Sequence, residues 1–174
     1  FEPTQKQHKL LQELTHFVFD NNNRALFLLK GYAGTGKTTV ISTVVNSLWK
    51  AGKKAVLLAP TGRAAKVISG YSKRQALTIH KKIYFPKKQK NGSVDFVMQT
   101  NKHTNTIFIV DEASMIGEFT LQNDGSVNAR NLLEDLFEYV YSGVGCKLIL
   151  LGDEGQLPPV GSDHSPALNL DYLK

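Results

Sequence analysis

One cysteine, one tryptophan and two methionines occur in 174 residues, and no apolar run approaches the roughly 20 residues of a membrane span. Each scarcity removes a class of function. Cys146 has no second cysteine to pair with and lies in the apolar context CKLILL. It reads as a small buried residue in a reducing compartment, with a cytoplasmic location expected, and redox chemistry drops out. His8, His16, His80, His103 and His164 show no ligand spacing with one another or with Cys146, which leaves no case for a zinc site. Any metal would arrive with a ligand. No initiating methionine and no signal peptide are present, and the chain stops at LNLDYLK, the pattern expected of a piece of a longer protein.

What is present is ordinary for a globular domain, with 41% hydrophobic and 21% charged residues. A chain of this length buries roughly 70% of its unfolded surface, enough for one domain with a real core. Lysine and arginine outnumber acidic residues 21 to 15, giving +6 and a pI near 9.4. That balance favours anionic partners such as nucleotides or nucleic acid.

After a cap at Thr4, the residues Leu10, Leu11, Leu14, Phe17 and Val18 recur at helical spacing until Asp20 and three asparagines end the pattern. The runs at 25–29, 54–60, 106–112 and 147–153 are short, apolar on both faces and rich in Val, Ile and Leu, as buried parallel strands are. Helical patterns fill 37–50, 62–68 and 128–141, the last with Leu132, Leu133, Leu136, Phe137 and Val140 as its stripe. Alternating strand and helix predicts an α/β fold with a parallel sheet flanked by helices. Two stretches break the rhythm: 84–105 is polar and basic around Asn91-Gly92, and 117–128 reads as a surface loop.

The chemistry centres on GYAGTGKTTV, Gly31 to Val40, which fits G-x-x-x-x-G-K-[ST] between a strand and a helix. The plainer reading is a glycine-rich turn. In the phosphate-loop reading, Gly34, Thr35, Gly36, Lys37, Thr38 and Thr39 form the nucleotide-binding set. Backbone N–H groups and the helix N-terminus converge on phosphate oxygens, Lys37 reaches the β- and γ-phosphates, and the Thr38 hydroxyl binds Mg²⁺. The second element is IFIVDEAS, where Asp111 and Glu112 follow four apolar residues at the end of a strand that faces ligands in α/β sheets. Asp111 is expected to hold Mg²⁺ through its water shell, and Glu112 to deprotonate the attacking water. An acidic pair capping the next helix is the alternative. ATP and Mg²⁺ are the cofactors these motifs imply.

APTGRAA (59–65), TIH (78–80), DEASM (111–115) and GDEGQLPPV (152–160) follow the phosphate loop in the order and wording of the RecD-like and Dda-like helicases of superfamily 1B. The chain resembles the first RecA-like motor domain of that family over almost its whole length. The resemblance implies an ATP-dependent DNA helicase that moves 5′ to 3′ on single-stranded DNA. It implies that Gln7, with Gln5 as the alternative, reads adenine, and that Gln156 senses the γ-phosphate with Asp153 in the same motif. Pro60, Thr61 and Arg63, and then Thr78 and His80, would hold the DNA backbone, contacts that suit binding without sequence preference. The departure is the family's second motor domain with its arginines. None of Arg24, Arg63, Arg74 and Arg130 occupies a matching position, so residues 1–174 alone are expected to be nearly silent catalytically. The implied partners are single-stranded DNA, a second motor domain in the same full-length chain, and a nuclease or repair complex. A regulatory nucleotide-binding module and a small phosphate-loop kinase are the competing readings.

Between these motifs, 83–99 (IYFPKKQKNGSVDFVMQ) predicts a two-residue hairpin at Asn91-Gly92, with Val94, Phe96 and Met98 on one face. Related helicases carry a duplex-splitting pin here. That resemblance implies Phe96, with Tyr84 or Phe85 from the opposite strand, as the stacking surface, and Lys87, Lys88 and Lys90 as phosphate contacts. A solvated basic loop is the other reading, because Pro86 weakens one strand.

Overall fold

Five strands pair into one parallel sheet in the computed structural model, which describes residues 4–21, 25–31, 37–116, 118–123 and 126–153. Numbered along the chain, its strands are β1 (Leu26–Gly31), β2 (Lys54–Ala59), β3 (Ala76–Thr78), β6 (Thr106–Val110) and β9 (Lys147–Asp153), in the spatial order β1-β9-β6-β2-β3. Four of these strands are the four apolar runs of the sequence. The fifth, β3, has three residues, too few for a periodic signal.

The period of two along each strand divides its side chains between two helical layers. Leu57, Ile107, Ile109, Ile149 and Leu151 pack with α1 (Gln5–Phe19), α2 (Lys37–Lys50) and α3 (Gly62–Ser72) through Leu14, Val18, Ile41, Val44, Val45, Leu48 and Ile68. Leu58, Phe108, Val110, Leu148 and Leu150 pack with α4 (Ile79–Ile83) and α5 (Leu132–Ser142) through Ile79, Ile83, Leu133, Leu136 and Val140. Every residue of β6 is buried. Each fully buried Leu, Ile or Phe contributes about 1.5–3 kcal/mol, so the centre of the sheet is the most strongly held part of the chain.

Local chemistry sets the helix ends. The Thr61 hydroxyl accepts from Ala64 N at 3.2 Å and caps α3. The helix runs past the expected end at 68, because the Ser72 hydroxyl bonds Ile68 O at 2.5 Å and Lys73 closes the helix in the left-handed region at φ 53.

Two expectations need correction. The described residues of 117–128, namely 118–123 and 126–128, lie in strands and not in a loop. β7 (Glu118–Asn123) and β8 (Ser126–Asn131) pair antiparallel from Glu118 opposite Asn131 to Asn123 opposite Ser126, and the helix expected from 128 begins at Leu132. Ladder hydrogen bonds join backbone groups whatever the side chains are, so the polar composition concealed both strands. The second correction concerns the turn of the basic hairpin. β4 (Tyr84–Lys88) and β5 (Val94–Met98) do pair, but Gln89 N donates to Ser93 O at 2.8 Å and Gly92 N to Gln89 O at 3.1 Å. Gly92 stands at φ 86 while Asn91 keeps a negative φ. This is a three-residue loop with glycine in the left-handed position, not a two-residue turn, which would need positive φ at both residues. The Asn91 side chain closes it by accepting from Ser93 N and Oγ at 3.0 and 2.7 Å.

The pairing also changes the expected stacking surface. Phe96 lies opposite Pro86, Phe85 opposite Val97, and Tyr84 opposite Met98. Phe85 and Phe96 are each 41% exposed but on opposite faces of the ribbon, since adjacent pairs point to opposite sides. Tyr84 shares the face of Phe96 yet is buried, donating its hydroxyl to Asp135 of α5. Phe85 therefore cannot share one stacking face with Phe96. Tyr84 instead ties the base of the hairpin to the domain, helped by Gln99, whose side chain donates to Tyr84 O at 2.8 Å.

Candidate functional site

All five strands of the sheet end on the same side, and their register sets which tips are neighbours. Gly31 lies opposite Asp153, Leu58 opposite Val110, and Ala59 opposite Thr78. The carboxyl end of the sheet therefore gathers the β1–α2 junction, Asp153, Asp111 with Glu112, Pro60 with Thr61, and Thr78 with His80. Gly34, Thr35, Gly36 and Gln156 lie outside the described residues. Lys37, Thr38 and Thr39 open α2, and Gln7 is the third residue of α1.

Asp111 is half-buried just past β6, and its backbone N donates to Leu58 O at 3.0 Å. Its carboxylate accepts two hydrogen bonds: Glu112 N to Oδ1 at 2.9 Å and the Tyr71 hydroxyl to Oδ2 at 2.7 Å. Glu112 adopts φ 54 and ψ 35, a left-handed conformation that costs a non-glycine residue about 1–3 kcal/mol. The single 3₁₀ turn Ala113–Met115 follows, and buried Ala113, Ser114 and Ile116 hold it down. Packing thus maintains a strained turn that sets Glu112 beside Asp111. The Glu112 side chain does not cap that turn, which removes the capping alternative for this residue.

These residues fit a magnesium nucleotide. β1 ends at Gly31 and α2 begins at Lys37, so the first N–H groups of α2 and the positive end of its dipole lie at the carboxyl end of the sheet. A carboxylate at the same end offers the hard oxygen donors magnesium takes.

The expected DNA residues lie at the tips of β2 and β3. Thr61 caps α3, and the Thr78 hydroxyl caps α4 by accepting from Lys81 N at 3.2 Å. A hydroxyl that accepts a capping bond still carries a proton to donate to a phosphate. Pro60 is half-buried and Arg63 exposed. His80 is half-buried with its ring 5.8 Å from that of Tyr84, and burial pulls its pKa below the usual 6.5. At neutral pH it is an uncharged imidazole, suited to a hydrogen bond rather than an ion pair.

Residues 15–162 match the family described as the AAA domain. The chain is 31% identical over 157 residues to the ATP-dependent RecD2 DNA helicase of Deinococcus radiodurans, covering 89% of this chain and 19% of that protein. It is 28% identical over 180 residues to the RecBCD enzyme subunit RecD of Buchnera aphidicola subsp. Schizaphis graminum (91% and 27%). It is 29% identical over 168 residues to the ATP-dependent DNA helicase dda of Enterobacteria phage T4 (95% and 32%). The chain belongs to the AAA domain family, in its RecD- and Dda-like branch. It is a helicase-like P-loop ATPase domain that spans about a third or less of the length of these relatives. No described helix of this RecD- and Dda-like domain is long and apolar enough to cross a membrane.

Within the domain, sequence reasoning missed Tyr71. The expected helix stopped at 68, and a tyrosine near the end of an amphipathic helix carries no motif that marks it as a carboxylate partner. Of the four arginines, Arg24 is outside the described residues, Arg130 lies in β8, Arg63 is exposed on α3, and the Arg74 guanidinium sits 4.3 Å from the Trp49 ring centroid.

Proposed function

We propose that residues 1–174 form the ATP-binding N-terminal motor domain of a 5′ to 3′ DNA helicase, with the β4–β5 hairpin as its insertion. The observation that carries this reading is the shared end of the sheet: β1, the Asp111–Glu112 pair and the helix caps Thr61 and Thr78 all stand at its carboxyl end, with the acidic pair one strand from Thr61 and two from Thr78. Nucleotide and DNA strand can then act on one rigid set of strand tips.

In this mechanism Gln7 reads the adenine, while the backbone of 34–36 and Lys37 hold the β- and γ-phosphates. Thr38 and Asp111 hold the magnesium ion, which neutralises phosphate charge when bound. Glu112 orients the attacking water and takes its proton. Gln156 reports the state of the γ-phosphate to the DNA residues Pro60, Thr61, Arg63, Thr78 and His80. A second motor domain of the full-length protein supplies the arginines, worth a factor of roughly 10³ to 10⁵ in phosphoryl transfer, and the two domains alternate their grip on the strand. Phe96 in the middle of β5 meets the duplex, and Lys87, Lys88 and Lys90, all exposed, meet phosphates.

The test is ATP hydrolysis by the full-length protein with and without single-stranded DNA, followed by unwinding of duplexes with a 5′ or a 3′ overhang. Stimulation by DNA and unwinding from the 5′ overhang alone are expected. Binding of ATP without stimulated turnover would indicate a regulatory module, and phosphate transfer to a small acceptor would indicate a kinase.

A further inference from the structure

The Tyr71 hydroxyl donates to Asp111 Oδ2 at 2.7 Å across 40 residues of chain. Tyr71 stands in the last turn of α3, and Thr61 caps the first turn of the same helix, with Arg63 exposed beside it. One 11-residue helix therefore touches the magnesium-side carboxylate at one end and carries the DNA residues at the other. The helix is firmly seated. Ile68 is fully buried against the sheet, Ser69 Oγ accepts from Ala76 N at 2.8 Å, and Tyr71 packs on the same apolar cluster. Asp111 is held on its other side by Glu112 N and through its own N–H by Leu58 O, so the α3 contact sets the remaining orientation of the carboxylate.

We propose that Tyr71 is a positioning residue that orients the Asp111 carboxylate for the metal and links that orientation to the seating of α3, so that DNA held at Thr61 and Arg63 changes the affinity for magnesium nucleotide. This rests on the reading of Asp111 as the metal-side carboxylate. A hydrogen-bonded outer partner of a ligating carboxylate fixes its rotamer and is commonly worth about 10- to 100-fold in metal affinity. Coupling between two sites requires an element that both contact, and α3 is such an element. Tyr71→Phe keeps the ring that packs on the core and removes only the donor.

The experiment uses the full-length protein. Binding of a fluorescent non-hydrolysable ATP analogue is titrated with Mg²⁺, with and without single-stranded DNA, for the unmodified protein, Tyr71→Phe, Asp111→Asn and Ser69→Ala. Melting temperature without nucleotide is recorded for each. The Mg²⁺ midpoint should rise about tenfold in Tyr71→Phe, and DNA should lose most of its effect on that midpoint, with melting nearly unchanged. Ser69→Ala breaks a different α3 bond while keeping the Tyr71 hydroxyl on Asp111, and should lower melting with a much smaller shift of the midpoint than Tyr71→Phe gives. If Asp111→Asn shifts the midpoint but Tyr71→Phe does not, or if Ser69→Ala shifts it as much as Tyr71→Phe, the positioning role is overturned. If Asp111→Asn leaves the midpoint unmoved, the metal reading of Asp111 falls and the role of Tyr71 falls with it.

Discussion

The two ends of the sheet are built differently. At the amino end, polar groups are consumed within the protein. The buried Lys147 ammonium donates to the carbonyls of Phe17 (2.5 Å), Val18 (3.3 Å) and Asp20, closing the C-terminus of α1. Asn101 is buried, and its amide donates to Tyr139 O and Val140 O at 2.9 and 3.1 Å. The Tyr141 hydroxyl donates to Ala25 O at 3.1 Å, and burial pushes its pKa up to about 12. Gly143 leaves room for this packing, since a Cβ there would meet Asn101 Nδ2 at 2.5 Å and Cys146 Sγ at 2.8 Å. At the carboxyl end, threonine caps retain a donor, Arg63 faces solvent, and Glu112 sits in a strained turn. Internal satisfaction stabilises one end, and spare bonding capacity leaves the other able to meet ligands.

Substitutions at the carboxyl end should therefore damage chemistry without unfolding, and those at the amino end should do the reverse. The largest expected effect is Glu112→Gln in the full-length protein, where turnover should fall about 10²- to 10⁴-fold while calorimetry shows ATP affinity retained. Lys37→Ala should instead abolish nucleotide binding in the same titration with little change in melting. Normal turnover in the first variant, or unchanged affinity in the second, would break the comparison at this end.

At the amino end, Lys147→Met leaves three carbonyls without their shared donor and should cost about 2–4 kcal/mol in urea unfolding, with ATP affinity of the folded fraction unchanged. Gly143→Ala forces the buried Asn101 aside and should cost about 1–3 kcal/mol. A loss of nucleotide affinity without loss of stability in either variant would show that the two ends are not separable. Phe96→Ala sharpens the comparison at the hairpin: stability and DNA-stimulated ATPase should persist while unwinding falls, by an amount set by lost stacking of about 1–3 kcal/mol per base. A collapse of both activities would make Phe96 part of the fold.

The smallest effect is on pH dependence. Burial holds the pKa of His80 and His103 below 6.5, with Lys82 and Lys54 depressing His103 further. The unfolded chain then binds protons more readily than the folded one, so stability is full above 6.5 and falls as pH drops through 6.5 toward the folded values. Melting temperature recorded between pH 7.5 and 5.5 should show this decline, and a double His80→Gln, His103→Gln variant should flatten it.

Much of this architecture was legible beforehand, because buried parallel strands announce themselves as runs such as TIFIV and LILL, and α5 as the stripe Leu132, Leu133, Leu136 and Val140. Composition also marked the phosphate-loop junction and the Asp111–Glu112 pair, since glycines before a lysine and acids after an apolar strand are local patterns. The β7–β8 pairing was hidden because a backbone ladder needs no apolar side chains, and the loop at Gly92 lengthened because φ is set by the twist of two paired strands. Chain-local spacing also cannot say that Phe85 and Phe96 face opposite ways, that Tyr84 is spent on Asp135, or that Tyr71 reaches Asp111. The sequence by itself determined which segments could be strands and helices and which residue types could do chemistry, because hydrophobic period and motif spacing act between near neighbours. Only the tertiary structure decided which of those residues meet, because register, layer and helix crossing arise from contacts between segments far apart in the chain.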